Sequence, residues 1–591
     1  MGLNVWALGG IAAVAVLTFG LGVWGSRRAR TTSDFLVAGR GVSARMNAAA
    51  ISGEYLSAAS FLGVAGLVLK DGVDALWYPV GFTAGYLALL LFVAAPLRRS
   101  GAYTLPDFAE ARLGSVRLRR LATGFVVVVG WLYLVPQLQG AGLTLATITE
   151  LKPWVGAVLV AVVVVLNVVF GGMRAVTLVQ AFQYWLKFTA IALPAFLLFL
   201  VFVSDRGAGQ RALGEPLPPV FTQQTTVDIE TDVTLQVAEP VMLQAKGEIG
   251  GQPVDGSVYW GRGQHDVSED TRLTFPAGAS APSVVGAPAD NAAWINPLGA
   301  DKSLLHIYSL IFATFLGTMG LPHVLVRFYT NPNGSAARET TLYVLILLGL
   351  FYLFPTILGA LSRLYVPQLL VTGKTDAAVL LLPTAMLDNW LGKGLAALTA
   401  AGAFAAFLST SSGLVMSVAG VLSTDVLPGR VRDFRLATLI AGIAPLAAAL
   451  AGATLDLSQS VGLAFATAAS TFCPLLVLGI WWRGLTAPGA AAGIIVGGGL
   501  AVAATVTTML VATAGGWVEP LLAQPAAITV PAAFVTMFVV SKLTRRRIPR
   551  DVSRTMLRMH APDPLGFSQD REGQVGALAD SNLPGEGRHR A

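Results

Sequence analysis

Three stretches of the sequence put polar and helix-breaking residues where the surrounding chain is apolar. The first is Ala50-Ile51-Ser52-Gly53-Glu54-Tyr55-Leu56-Ser57-Ala58-Ala59-Ser60-Phe61-Leu62-Gly63, which combines an acid, small hydroxyl side chains and glycines. The second, Phe315-Leu316-Gly317-Thr318-Met319-Gly320-Leu321-Pro322-His323, carries a proline that removes a helix hydrogen bond. The third is Leu408-Ser409-Thr410-Ser411-Ser412-Gly413. Helices interrupted at membrane depth free backbone groups that can face a ligand. Ser and Thr hydroxyls are hard oxygen donors that can hold an alkali cation without adding charge. Such stretches suit binding and release of a solute and an ion. The structural alternatives are close helix packing through small residues and back-bonding of hydroxyls to carbonyls four residues earlier. Glu54, an acid inside an apolar run, could sense protons, bind an ion indirectly or pair locally. His323 reads as ordering the broken helix rather than relaying protons, and Arg327 as snorkelling to the interface.

The elements that must hold these residues follow from composition. Of 591 residues 54% are hydrophobic and 12% charged, and mean hydropathy is +0.66. A soluble domain carries about a quarter of its residues as charges, so this chain cannot cover itself with a wetted surface. Apolar runs recur near 5–24, 46–68, 77–96, 123–148, 154–170, 178–203, 304–328, 342–361, 395–422, 436–450, 461–481, 491–511 and 528–540. Most approach the length that crosses about 30 Å of hydrocarbon, and helices satisfy their own backbone groups there. The expectation is an all-α polytopic membrane protein of about thirteen spans. The first two polar stretches then open two five-span blocks, which favours a site over mere packing.

Charge placement gives an expected topology. Arginines concentrate in alternate loops, at Arg27/Arg28/Arg30/Arg40/Arg45, Arg98/Arg99/Arg112/Arg117/Arg119/Arg120, Arg174, Arg327/Arg338, Arg430/Arg432/Arg435, Arg483 and Arg545/Arg546/Arg547/Arg550. Basic loops face the cytoplasm, so the N-terminus is expected outside and the C-terminus inside a cell (inner) membrane. The net charge of +7 is therefore topological, and nucleic acid is not an expected partner. Cys473 is the single cysteine, which excludes an intramolecular disulfide and a cysteine metal site. The first run lacks a basic leader and reads as a retained span. No Ser/His/Asp, metal-binding or phosphate-cradling constellation points to an enzyme.

Four regions are expected: a first transmembrane block at 1–203, an extracytoplasmic β-rich insertion at 204–302, a second transmembrane block at 303–543, and a cytoplasmic basic, disordered tail at 544–591. Within the insertion, Val227, Ile229, Val233, Leu235 and Val237 alternate with polar residues as in a half-buried strand, and Leu273-Thr274-Phe275 suggests another. As a connection between blocks, replaceable at about 214–291, it need carry no force during transport.

The chain resembles the sodium/solute symporters, and within them the branch that carries acetate and related short monocarboxylates. The resemblance rests on Asp34-Phe35-Leu36-Val37-Ala38-Gly39-Arg40 leading into Gly53–Gly63, on Gly317-Thr318-Met319-Gly320-Leu321-Pro322-His323-Val324-Leu325-Val326-Arg327-Phe328, and on the stretch from Ala406 to Asp425. It implies two inverted five-helix repeats of the LeuT-like kind, with one helix before and two after. It implies a sodium ion between the broken second span and the ninth, held by carbonyls of Gly53, Leu56 and Ala406 and hydroxyls of Ser409 and Thr410. It implies a substrate pocket at Tyr55, Ala58, Ala59, Thr314 and Thr318, with Gln137 nearby, polar and without the aromatics of the family's proline carriers. Many relatives have an Asp where Gln180 follows Gly171-Gly172-Met173-Arg174-Ala175-Val176, which leaves sodium against proton coupling open. The implied function is cation-driven uptake of a small organic anion, with no cofactor beyond the transported ion. The alternatives are a carrier of another small solute such as proline, or a carrier-like sensor. Oligomeric state is not legible.

Overall fold

The computed structural model describes residues 5–26, 38–149, 151–204, 208–296, 304–427, 431–451, 457–510 and 522–567. Eleven helices among them are long and apolar enough to cross a membrane, where about thirteen spans were expected. Two of the eleven stretches contain a glycine at positive φ that interrupts the helical path, Gly72 in Ala59–Arg99 and Gly172 in Pro153–Ser204. The expected span boundaries lie at these two points. At both, φ in the left-handed region costs glycine little and other residues much.

The Trp390–Asp425 helix is the axis of the bundle, since 94% of its apolar window is enclosed by protein. Its run of Ala, Gly and Ser explains this, because small side chains let neighbouring backbones come close. At Gly402 a Cβ would press on Ala190 and on the ring of Phe61. Pro153–Ser204, Val116–Thr149, Val5–Ser26 and the first broken helix surround it.

Arginines expected only as loop charges also staple the bundle. Arg119 pairs with Asp425 at 2.6 Å and Glu110 at 2.7 Å. Arg112 donates to the Gly479 carbonyl at 2.8 Å, and Arg98 to those of Asn331 and Pro332.

Residues 225–284 form a seven-stranded antiparallel sheet, ordered β1-β6-β3-β5-β2-β7 with β4 paired to β3. The strands are β1 Thr225–Asp228, β2 Val233–Val237, β3 Val241–Ile249, β4 Gln252–Trp260, β5 Gly263–Val267, β6 Arg272–Phe275 and β7 Ser283–Val284. The alternation at 227–237 is thus two strands rather than one. β1 pairs with β6, whereas β2 pairs with β5 and β7. The longest pairing, β3 with β4, turns through Gly250-Gly251, both at positive φ, as a two-residue hairpin turn requires.

The insertion is fastened to the bundle rather than merely connecting its halves. Trp294 donates its indole N–H to the Val68 carbonyl at 2.7 Å, and Asn291 accepts from Arg363 at 2.8 Å. Val371, on the short helix Gln368–Thr372, completes the apolar core of the sheet, and Lys374 pairs with Glu230. Replacing residues 215–288 by a Gly/Ser linker, with Asp290–Asn296 kept, is therefore expected to preserve uptake. Extending the cut through Trp294 should lower the apparent unfolding temperature sharply, because it takes from the buried Arg363 guanidinium its Asn291 acceptor and the Trp294 ring it lies over. Equal behaviour of both deletions in a thermal-melt and uptake assay would contradict this anchoring.

The tail also differs from expectation. Val552–His560 is a helix with Met556 and Met559 buried, and its C-terminal end places His560 against Trp481. Asp563 then accepts from Arg99 at 2.9 Å and from Ser335 at the start of Gly334–Tyr365. Burial acts to raise the Asp563 carboxyl, but the Arg99 guanidinium and Ser335 hold it well below the usual carboxylate range. Residues 568–591 lie outside the described residues.

Candidate functional site

Two interrupted helices meet at the centre of the bundle. Ala44–Tyr55 ends at Leu56, whose ψ of 80° leaves the helical region, and helical structure resumes from Ala59. The Ser57 N–H turns back to the Tyr55 carbonyl at 2.8 Å and the Ser60 N–H to that of Ser57 at 3.0 Å. In a continuous helix these two donors would have served Gly53 and Leu56. The break therefore releases the carbonyls of Gly53 and Leu56. The second interruption lies between Leu304–Thr318 and Pro322–Phe328. Gly317 and Gly320 let this turn nest on Leu457–Trp481, because a Cβ at either would collide with the Phe465 or Ala468 carbonyl.

The expected ion ligands are gathered at the first break, and they surround a side chain that the sequence reading passed over. The Lys187 ammonium donates to the Gly53 carbonyl, to the Leu56 carbonyl at 2.6 Å and to the Ser409 hydroxyl at 2.9 Å. Lys187 is fully buried. Ser409 Oγ also lies 3.1 Å from the Ala406 carbonyl, while Thr410 donates to the Glu54 carbonyl at 2.6 Å. A free cation as transport substrate therefore meets a ligand set whose oxygens already have partners. The available signal was a lone basic residue inside an apolar run, which marks function by default.

Arg327 does not snorkel. It is 1% exposed and reaches inward from the second broken helix. Its Nε donates to Glu54 at 2.7 Å, Nη1 to Thr177 at 2.7 Å, and Nη2 to the Gln180 side chain. Gln180 in turn donates to the Ser409 carbonyl at 2.8 Å. Of the three roles open to Glu54, the geometry displays local pairing: one ion pair ties the two broken helices together. Buried charges persist when paired and hydrogen-bonded.

The expected substrate residues divide into two groups. Tyr55 OH and the Thr318 hydroxyl lie 2.8 Å apart. Across the break, the Ala58 N–H points to Gln137 Oε1 at 3.4 Å, and Ala59 is buried beside it. Thr314 lies one turn before Thr318 on the same helix face: its hydroxyl back-bonds to the Leu310 carbonyl at 2.8 Å and packs on Gly81, as Thr318 packs on Gly85. The pocket is also more aromatic than expected. Phe82, Tyr86 and Phe465 set their rings against Tyr55 at centroid distances of 6.1, 4.8 and 6.1 Å, and Tyr133 approaches Phe465 and His323. Among the described residues, Gln137 Nε2, Tyr86 OH and His323 Nε2 are buried without a hydrogen-bond partner. Such groups are costly unless something pairs with them.

A bundle of long apolar helices with two interruptions facing each other across a buried polar centre defines a membrane transporter. The model of the sodium:solute symporter family matches residues 35–241 and 284–497, and the chain belongs to that family. The gap in the match, 242–283, falls within the sheet. An uncharacterised symporter of Bacillus subtilis (strain 168), YwcA, is 29% identical over 543 residues, covering 88% of this chain and 91% of that protein. The substrate-bound, outward-open structure of a Na+-coupled sialic acid symporter superposes with a TM-score of 0.60 at 14% identity, covering 91% of this chain and 98% of that one. The protein is thus a multi-pass membrane symporter and not an enzyme.

Proposed function

We propose that this symporter couples inward movement of a cation to uptake of a short monocarboxylate such as acetate, propionate or pyruvate. Sodium, for which the family is named, is the first ion to test. The observation that carries the substrate reading is the aromatic cluster around Tyr55 at the first break, together with the buried, unpaired Gln137 Nε2 and Tyr86 OH. An amide N–H and a phenol are donors, and a carboxylate is acceptor-only. The rings of Tyr55, Phe82 and Phe465 leave an apolar surround suited to a methyl or ethyl tail. Sequence likeness in the Gly53–Gly63 stretch and at Gln180 supports the same branch. In the proposed orientation the N-terminus and the sheet lie outside and the arginine-rich loops face the cytoplasm.

The test is competition for uptake of labelled propionate by cells expressing the protein. Acetate and pyruvate should compete, and Gln137→Ala should raise the half-saturating concentration by about tenfold, the effect of about 1.4 kcal/mol in lost pairing. Competition by proline or a sugar, with none by acetate, would assign the protein to another branch.

A further inference from the structure

The position of Lys187 carries an inference that rests on the symporter reading and sharpens it. An ammonium has three N–H donors, and all three find acceptors: the two carbonyls released by the helix break and the Ser409 hydroxyl. These oxygens are a hard-donor cage of the kind that would strip water from an alkali ion. Lys187 reaches it from Pro153–Ser204, more than a hundred residues away in sequence from either side of the cage. Its positive charge is delivered by a tether, so it competes with a free ion at an effective concentration the solution cannot match.

The charges nearby sharpen the point. Glu54 is already committed to Arg327 at 2.7 Å. The hydrogen-bond acceptors of the Lys187 ammonium are all neutral oxygens. A sodium ion added to the same oxygens would put two like charges side by side in a dry interior, where Coulomb repulsion is least screened.

We propose that Lys187 is the resident cation of this site, standing where a free ion would bind and fastening the broken helix to Trp390–Asp425. A free alkali cation then enters this cage only by displacing Lys187, and the residue sets the site's low preference for sodium.

The experiment is a sodium titration of the purified full-length protein in detergent, read by thermal stabilisation and by binding of radioactive sodium. Choline chloride holds ionic strength constant. Wild type is expected to show weak sodium binding. Lys187→Ala should lower the half-saturating sodium concentration by about tenfold or more, because the ion no longer has to displace a tethered ammonium, and its binding to the native state raises the unfolding temperature. Lys187→Met, which keeps the apolar stem and removes the charge, serves if the alanine variant folds poorly. The gain should vanish when Ser409→Ala is added to either variant. The proposal is overturned if Lys187→Met binds sodium no better than wild type, or if wild type binds it tightly and Ser409→Ala abolishes that binding. Exchange of labelled propionate across wild-type proteoliposomes, with no ion gradient, reports separately on the transporter reading. Exchange without the expected sodium shift sinks only the role of Lys187, while absent exchange sinks the reading beneath it.

Discussion

Arg327→Met is expected to lose most of its folded population, and the double variant Glu54→Gln/Arg327→Gln to recover much of it. The single substitution strips Glu54 of its 2.7 Å partner while the carboxylate stays 1% exposed, and it also leaves Thr177 and Gln180 without the donors they receive from Arg327. Removing one member of a buried ion pair costs about 3–5 kcal/mol, mostly through the charge left behind. The double variant places a neutral amide at each position, so no unpaired charge remains buried and its desolvation cost disappears. The readouts are the monodisperse fraction after detergent extraction and the apparent unfolding temperature. A single variant as stable as wild type would show that the pair does not hold the two broken helices together.

Gly53→Ala should cut uptake sharply while leaving the protein in the membrane. A Cβ there would drive into the backbone carbonyl of Gln180 and approach Tyr184 Cβ at 3.3 Å. A flexible side chain could yield to such a contact, but the Gln180 backbone is fixed within the Pro153–Ser204 helix. The broken helix must move away, which withdraws the Gly53 carbonyl from Lys187. Overpacking of this kind costs about 1–3 kcal/mol, so uptake per folded molecule should fall by about tenfold or more. Gly420→Ala, in the Trp390–Asp425 helix with open space around its Cβ position, is the control and should transport normally. Normal uptake by Gly53→Ala would mean that the close approach at this position is not required.

Much of the architecture is legible without coordinates because it follows from local chemistry. Hydrophobic runs announce helices, and the interruptions at Gly53–Ser57 and Gly317–Pro322 are written in glycine, serine and proline. The strand at Arg272–Phe275 shows in alternation alone. Other features depend on contacts between distant residues. Lys187 sits as an isolated base in the run Trp185-Leu186-Lys187-Phe188, and its acceptors lie 134, 131 and 222 residues away. Arg327 follows a short helix near a span end, where snorkelling is the default for a long basic side chain, and only the tertiary approach of Glu54 turns it inward. Residues 227–237 alternate through a turn, so periodicity cannot divide one strand from two. The Val552–His560 helix was hidden because the polar sequence after it dominates the local composition.

The central claim is that the chain moves a short monocarboxylate against its gradient at the expense of a cation gradient. Its most direct test is accumulation of labelled propionate in proteoliposomes of the purified protein, with inward sodium and pH gradients imposed separately. Saturable accumulation above equilibrium, collapsed by dissipating the cation gradient and blocked by unlabelled acetate, is the predicted result. Propionate that never exceeds equilibrium under either gradient, in vesicles where the protein accumulates another solute, would contradict it.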